Sequence, residues 1–145
     1  NTKLIRERLL VNRAAAARHL PLYAPADAPE DVLPELEAMI APELPIAVLL
    51  LGMGTDMHTA SLFPGADRLE EALSSHAPIL LPMRAPGVIE PRITLSARVL
   101  DGALRKHIVL IGAEKRAAFE AAQHLSAADA PIRAVLTGAD VHWAP

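Results

Sequence analysis

In the stretch LLLGMGTDMHTASLFPGA, Leu49 to Ala66, an aspartate and a histidine stand two residues apart, just beyond an apolar run and a pair of glycines. On a turning loop this spacing lets a carboxylate hold one imidazole nitrogen and leaves the other to take a proton. Asp56 and His58 are therefore a candidate orienting acid and general base. Their position supports that chemistry, because PIAVLLLG reads as a strand and open α/β sheets form their ligand crevice beyond the C-terminal ends of strands. Each residue also has a plainer reading. A histidine is commonly satisfied by loop hydrogen bonds, and an aspartate here suits an Asx-turn. Spacing alone leaves both readings open.

Other chemistries fit the same stretch less well. Gly52 and Gly54 after a strand invite dinucleotide binding, but Met57 occupies the third glycine position of G-x-G-x-x-G. HTAS and Phe63-Pro64-Gly65 follow in place of a helix, and the next strand ends near Arg84 without a ribose-binding acid. Ser61 lies in no G-x-S-x-G elbow. A metal site would need a third ligand, and although His107 and His142 lie near predicted strands, no ligand spacing links them to His58. No cofactor and no metal is expected.

Composition narrows the classes further. The 145 residues, 52% of them apolar, suffice for one domain, 1–145, with its own core. Fourteen basic and 17 acidic residues are mixed along the chain for a net charge of -3, so no basic face for nucleic acid is expected. The longest uninterrupted apolar run, Ile46 to Leu51, is far short of the roughly 20 residues of a membrane span. Without cysteine there is no disulfide, thiolate metal site or thiol nucleophile, a composition compatible with the cytoplasm. The first residues, NTKLIRERLL, contain neither an initiator Met nor the apolar region of a signal peptide, which suggests a chain that begins partway through a longer one.

The elements that must position the candidate residues follow from periodicity. Asn1 or Thr2 caps a predicted helix running to about Leu20, with Leu4, Ile5 and Leu9 on its apolar side. Pro29-Glu30-Asp31 opens a second helix that reaches about Ile40, with Pro34 early in it. PIAVLLLG, apolar on both faces, has the pattern of a parallel strand covered by helices. Arg68 to Leu73 reads as helix and APILLPM as a buried strand closed by Pro82. RITLSARVL reads as a strand turning into helix. HIVLIG and EKRAAFEAAQHL make a β-α unit whose helix turns Ala118, Phe119, Ala122 and Leu125 to one face. PIRAVLTGADVHWAP ends in a helical turn and a final strand. This alternation predicts an α/β fold: a doubly wound, mainly parallel sheet with helices on both faces, in which 46–51, 79–83 and 107–111 are neighbouring or near-neighbouring strands.

Read as a whole, GMGTDMHTASLFPGA closely resembles the G-M-G-x-D-G-H-T-A-S-L-F-P-G signature of the 6-phosphogluconolactonase family. The likeness continues in PRITLSARVL, in IGAEKRAAF, and in the closing PIRAVL and VHWAP, so that it covers essentially the whole chain. Met57 stands where the signature has glycine, a residue that tolerates positive φ.

The resemblance implies the three-layer α/β sandwich of the sugar-phosphate isomerases. It also implies an additional N-terminal β-α segment with a G-G-S loop that these residues lack. The implied activity is hydrolysis of the δ-lactone of 6-phosphogluconate in the pentose phosphate pathway, with a small phosphorylated sugar lactone as the partner molecule. His58 would be the base acting on water and Asp56 its orienting carboxylate. Backbone N–H groups around Gly52 and Gly54 would face the oxyanion. Arg92 and Lys115 would bind the phosphate, Lys115 from a helix first turn that already favours an anion. Without the resemblance, those two cations read as solvated surface charges. An amino-sugar phosphate isomerase or deaminase shares the fold, but its related segment carries an acid after the histidine where this chain has Thr59-Ala60-Ser61-Leu62-Phe63-Pro64. A non-catalytic sugar-phosphate-binding protein is the remaining alternative.

Overall fold

A run of proline and glycine punctuation cuts this chain into short elements. The computed structural model describes residues 2–145, and Asn1, one of the two predicted caps, lies outside them. The helices are α1 (Thr2–Arg8), α2 (Leu33–Ile40), α3 (Leu69–Leu73), α4 (Ala97–Asp101) and α5 (Ala113–Ala122). The strands are β1 (Leu49–Gly52), β2 (Leu80–Met83), β3 (Arg92–Leu95), β4 (Lys106–Ile111) and β5 (Ala139–Ala144).

The first predicted helix is much shorter than its pattern suggested. It ends at Arg8, Val11 is extended, and Asn12 sits at φ 54, a left-handed conformation that no helix continues through. No residue of α1 is buried: Leu4 is exposed and Ile5 only half-buried, and an apolar stripe with so little cover has little to hold a long helix together. The second helix begins as a 3-10 turn, Pro29–Val32, and continues as α2 with Pro34 in its first turn, where a missing N–H costs nothing.

β1, β4 and β5 form a parallel sheet in the order β1-β4-β5, with Leu49 opposite Lys106 and Lys106 opposite Ala139. The predicted β-α unit is there: Gly112, at φ 93, turns β4 directly into α5. Leu125 falls beyond the end of α5 and is 37% exposed, so it does not share the buried face of Ala122.

β2 departs from expectation in direction. It pairs antiparallel with β3, Leu80 opposite Leu95, in a separate two-stranded sheet, and Pro82 sits inside the strand opposite Ile93. All four of its residues are buried because it lies between two apolar clusters: Leu80 joins Val32 and Leu36 under α2, while Leu81 and Met83 belong to the main core. Continuous burial, read from sequence as a parallel strand, arises here from packing on both sides of a hairpin-like pair.

The main core covers one face of the parallel sheet. Leu49, Ile108 and Leu110 pack there with Met53, Leu62, Leu69, Leu100, Ala122 and Ile132, and Phe119 of α5 packs against them. The other face is bare among the described residues. Leu50 is 69% and Ile111 65% exposed, and strand alternation puts them on the same side as His107. The expected mainly parallel α/β sheet with helices is present, and among the described residues this second face is left exposed. Away from the sheet, Arg84 forks onto Glu30 and holds that carboxyl below its ordinary range, tying the Pro29–Val32 turn to the segment after β2.

Among the described residues no helix is long and apolar enough to cross a membrane.

Candidate active site

The loop after β1 is built by its own backbone. The Gly54 N–H donates to the His58 carbonyl at 3.0 Å, and the Met57 N–H donates back to the Gly54 carbonyl at 3.0 Å. This tight reversal forces Met57 to φ 67, the conformation for which the family signature uses glycine. The Thr59 hydroxyl, fully buried, donates to the Gly52 carbonyl at 2.9 Å and so fastens the far end of the loop to the last residue of β1. Ile132, at the start of the 3-10 turn Pro131–Val135, donates its N–H to the Met57 carbonyl at 3.1 Å. A fourth tie comes from β3, where buried Thr94 accepts the Ser61 N–H at 3.2 Å.

This frame brings the two predicted side chains together. His58 Nδ1 lies 2.6 Å from Asp56 Oδ1, and the same oxygen accepts the His58 backbone N–H at 3.2 Å. A carboxylate offers only acceptors, so in the neutral tautomer that this contact selects Nδ1 carries the proton and Nε2 the lone pair. The imidazole is about one-third exposed, within reach of solvent or a ligand. The Asx-type bond from Asp56 to the His58 N–H and the side-chain pair coexist, so the two readings of Asp56 are not exclusive.

Gly54 has a role other than the one expected of it. Its N–H is spent on the His58 carbonyl and is not free to face an oxyanion. Its missing side chain is what the site requires, because a Cβ there would lie 2.3 Å from Asp56 Oδ1 and 2.4 Å from His58 Nδ1. Gly52 ends β1 opposite Val109, and its carbonyl holds Thr59.

The two expected phosphate ligands lie on different elements. Arg92 is exposed at the start of β3 and shares a cleft of about 960 Å³ with Ser61, His19 and Tyr23. Asp56, His58 and Lys115 do not line that cleft. Lys115 is half-buried in the first turn of α5, beyond the C-terminal end of β4, and the parallel register of β1 and β4 puts that end on the same sheet edge as the Asp56–His58 loop. Neither cation has an ion-pair partner among the described residues.

His107 and His142 meet each other across β4 and β5, Nδ1 to Nε2 at 3.0 Å, with Asp140 at 3.7 Å, on the bare sheet face. Among the described residues no group of three or more His, Asp or Glu side chains is arranged to hold a metal ion.

Thr59, Phe63 and Thr94 were not singled out from the sequence. Their signal was slight: one hydroxyl inside an apolar strand, one between histidine and alanine, and one of only two phenylalanines.

The model of the family of glucosamine-6-phosphate isomerases and 6-phosphogluconolactonases matches residues 1–143. The chain belongs to this family. It is 43% identical over 153 aligned residues to a 6-phosphogluconolactonase of Mesorhizobium japonicum and 41% identical over 152 to one of Pseudomonas aeruginosa; in both cases all of this chain aligns with 63% of the relative. The crystal structure of a 6-phosphogluconolactonase from Shewanella baltica OS155 superposes with a TM-score of 0.91 at 32% identity, over 99% of this chain and 64% of that one. The chain thus spans less than two thirds of the length of these family members.

Proposed function

We propose that the protein carrying this chain hydrolyses the 1,5-lactone of 6-phosphogluconate, a step of the pentose phosphate pathway, and acts in the cytoplasm. The observation that carries the reading is the Asp56–His58 pair, a 2.6 Å contact held in a loop that matches the family signature. Its relatives' activity supports the choice of substrate. The absence of an acid after His58 favours lactone hydrolysis over amino-sugar isomerisation.

The chemistry starts from neutral His58. Its Nε2 takes a proton from water as the water oxygen bonds to the lactone carbonyl carbon, and the resulting imidazolium is held against the Asp56 carboxylate. Collapse of the tetrahedral intermediate breaks the bond between that carbon and the ring oxygen. His58 returns the proton to this oxygen, leaving a free hydroxyl and the open-chain acid. Arg92 and Lys115 bind the phosphate, and that remote binding energy aligns the carbonyl with the water. Gly52 anchors the loop through its carbonyl, and Gly54 admits the Asp56–His58 contact by lacking a side chain.

The test is lactone hydrolysis by full-length protein, followed as acid release against the spontaneous rate. His58→Asn is expected to lower the enzymatic rate by roughly 10² to 10⁴, the contribution of a positioned base, with the fold intact by circular dichroism. Unchanged turnover at neutral pH removes His58 as the base.

A further inference from the structure

The His58 ring is enclosed on more sides than a catalytic pair requires. Asp56 holds its Nδ1 edge. The side chain that Gly54 lacks would stand 2.4 Å from Nδ1 and 2.5 Å from Cε1, so the backbone of residue 54 closes one flank. The third contact is Phe63, whose ring centroid is 4.4 Å from that of the imidazole at an interplanar angle of 35°. These contacts reach Nδ1, Cε1 and the ring centre, and none of them is a hydrogen bond to Nε2.

Phe63 has little other employment. It is half-buried yet belongs to neither apolar cluster, whereas the other phenylalanine, Phe119, packs on the main core. A large aromatic side chain that contributes nothing to those clusters, and that sits five residues beyond the histidine, is explained by the imidazole it touches. Its segment is fixed from both directions. The Leu62 N–H donates to the Thr59 carbonyl at 2.9 Å, and the Phe63 carbonyl accepts the Ala66 N–H at 3.1 Å. Leu62, fully buried in the main core, anchors the chain immediately before it.

We propose that Phe63 is a positioning residue for His58. It blocks rotation of the imidazole away from Asp56, and it presents the negative face of an aromatic ring to the imidazolium that forms when Nε2 takes a proton. This rests on the reading of His58 as the base, and it adds a residue that acts only through the histidine.

The test compares Phe63→Leu and Phe63→Tyr in the full-length protein, with His58→Asn as the reference. Phe63→Leu should lower kcat by about 10- to 100-fold, as loss of alignment does, and leave KM within about twofold because the substrate is not touched. Phe63→Tyr keeps the ring and should retain kcat within about threefold of the parent. Proton NMR supplies a readout independent of turnover: the His58 ring protons should be shifted by the Phe63 ring current, and the shift should disappear in Phe63→Leu and persist in Phe63→Tyr. Unchanged kcat in Phe63→Leu, or His58 ring protons at unshifted positions in the parent protein, overturns the proposal. If Phe63→Leu does not fold, the parent spectrum and Phe63→Tyr still decide. If His58→Asn keeps full activity, the functional reading fails on its own, and the NMR comparison still reports whether Phe63 holds the ring.

Discussion

His58 Nδ1 and Asp56 Oδ1 are 2.6 Å apart across a space that exists because residue 54 is glycine. The pair is thus a property of three positions. The carboxylate fixes the tautomer, the backbone reversal from Gly54 to His58 brings the two side chains together, and the missing Cβ leaves room for them.

Gly54→Ala tests that geometry directly. A methyl group 2.3 Å from Asp56 Oδ1 and 2.5 Å from His58 Cε1 cannot be accommodated without moving one of them. The expected result is a loss of turnover approaching that of His58→Asn, roughly 10²-fold or more, in a protein that still folds. Asp56→Asn, which keeps the shape but loses the charge, should cost less than His58→Asn. Equal losses would give the carboxylate a direct part in the reaction.

Arg92 and Lys115 lie on different elements and have no ion-pair partners among the described residues, which leaves both cations available to an anion. Replacing either with Ala should lower kcat/KM for the phosphorylated lactone by roughly 10- to 100-fold, the worth of one charged hydrogen bond. Unphosphorylated gluconolactone should be affected far less. Equal losses on the two substrates would make these side chains structural. Since Arg92 lines the 960 Å³ cleft and Lys115 does not, a defect confined to Arg92→Ala would put the phosphate in that cleft.

Met57 holds φ 67 and also packs against the main core. Met57→Gly removes backbone strain of about 1 kcal/mol but loses packing and gains unfolded-state freedom, so its stability should stay within about 1 kcal/mol of the parent. Met57→Val branches the side chain at a backbone conformation that β-branched residues rarely adopt, and should destabilise by about 1–2 kcal/mol. Urea unfolding of the three proteins measures both. If Met57→Val is as stable as the parent, the left-handed turn is not obligatory.

The parts of this fold legible in the sequence are those with strong local punctuation. HIVLIG followed by EKRAAF is a short apolar run, a glycine and an amphipathic segment, and β4 turning at Gly112 into α5 follows it closely. The Asp56–His58 pair was legible for the same reason, since a two-residue separation on a loop is a local constraint. Helix length at the N-terminus was not, because periodicity from Thr2 onward promised an apolar face and the fold fully buries no residue of α1. The direction of β2 was hidden because burial on both faces looks the same whether helices cover a parallel sheet or two clusters flank a pair of antiparallel strands. Thr94 and the Ile132 N–H tie the loop to distant elements, and contacts of that range leave no periodic trace in one sequence.

The bare face of the parallel sheet carries the last prediction. Leu50 at 69%, Ile111 at 65% and neighbouring Val48 at 62% exposure put three large aliphatic side chains in water along adjacent strands, beside the free edge of β1. Contiguous exposed apolar surface and an unpaired strand edge both favour association. A polypeptide of these 145 residues should therefore bind a hydrophobic dye and self-associate with rising concentration in sedimentation velocity. Leu50→Thr with Ile111→Thr keeps β-propensity while removing the apolar contact, and should reduce both signals without unfolding the sheet. Leu50 and Ile111 adjoin Leu49 and Leu110 along their strands but point to the opposite face of the sheet, so the main core keeps its side chains. A polypeptide that stays monomeric and takes up no dye would mean that these residues find cover by rearranging within the chain.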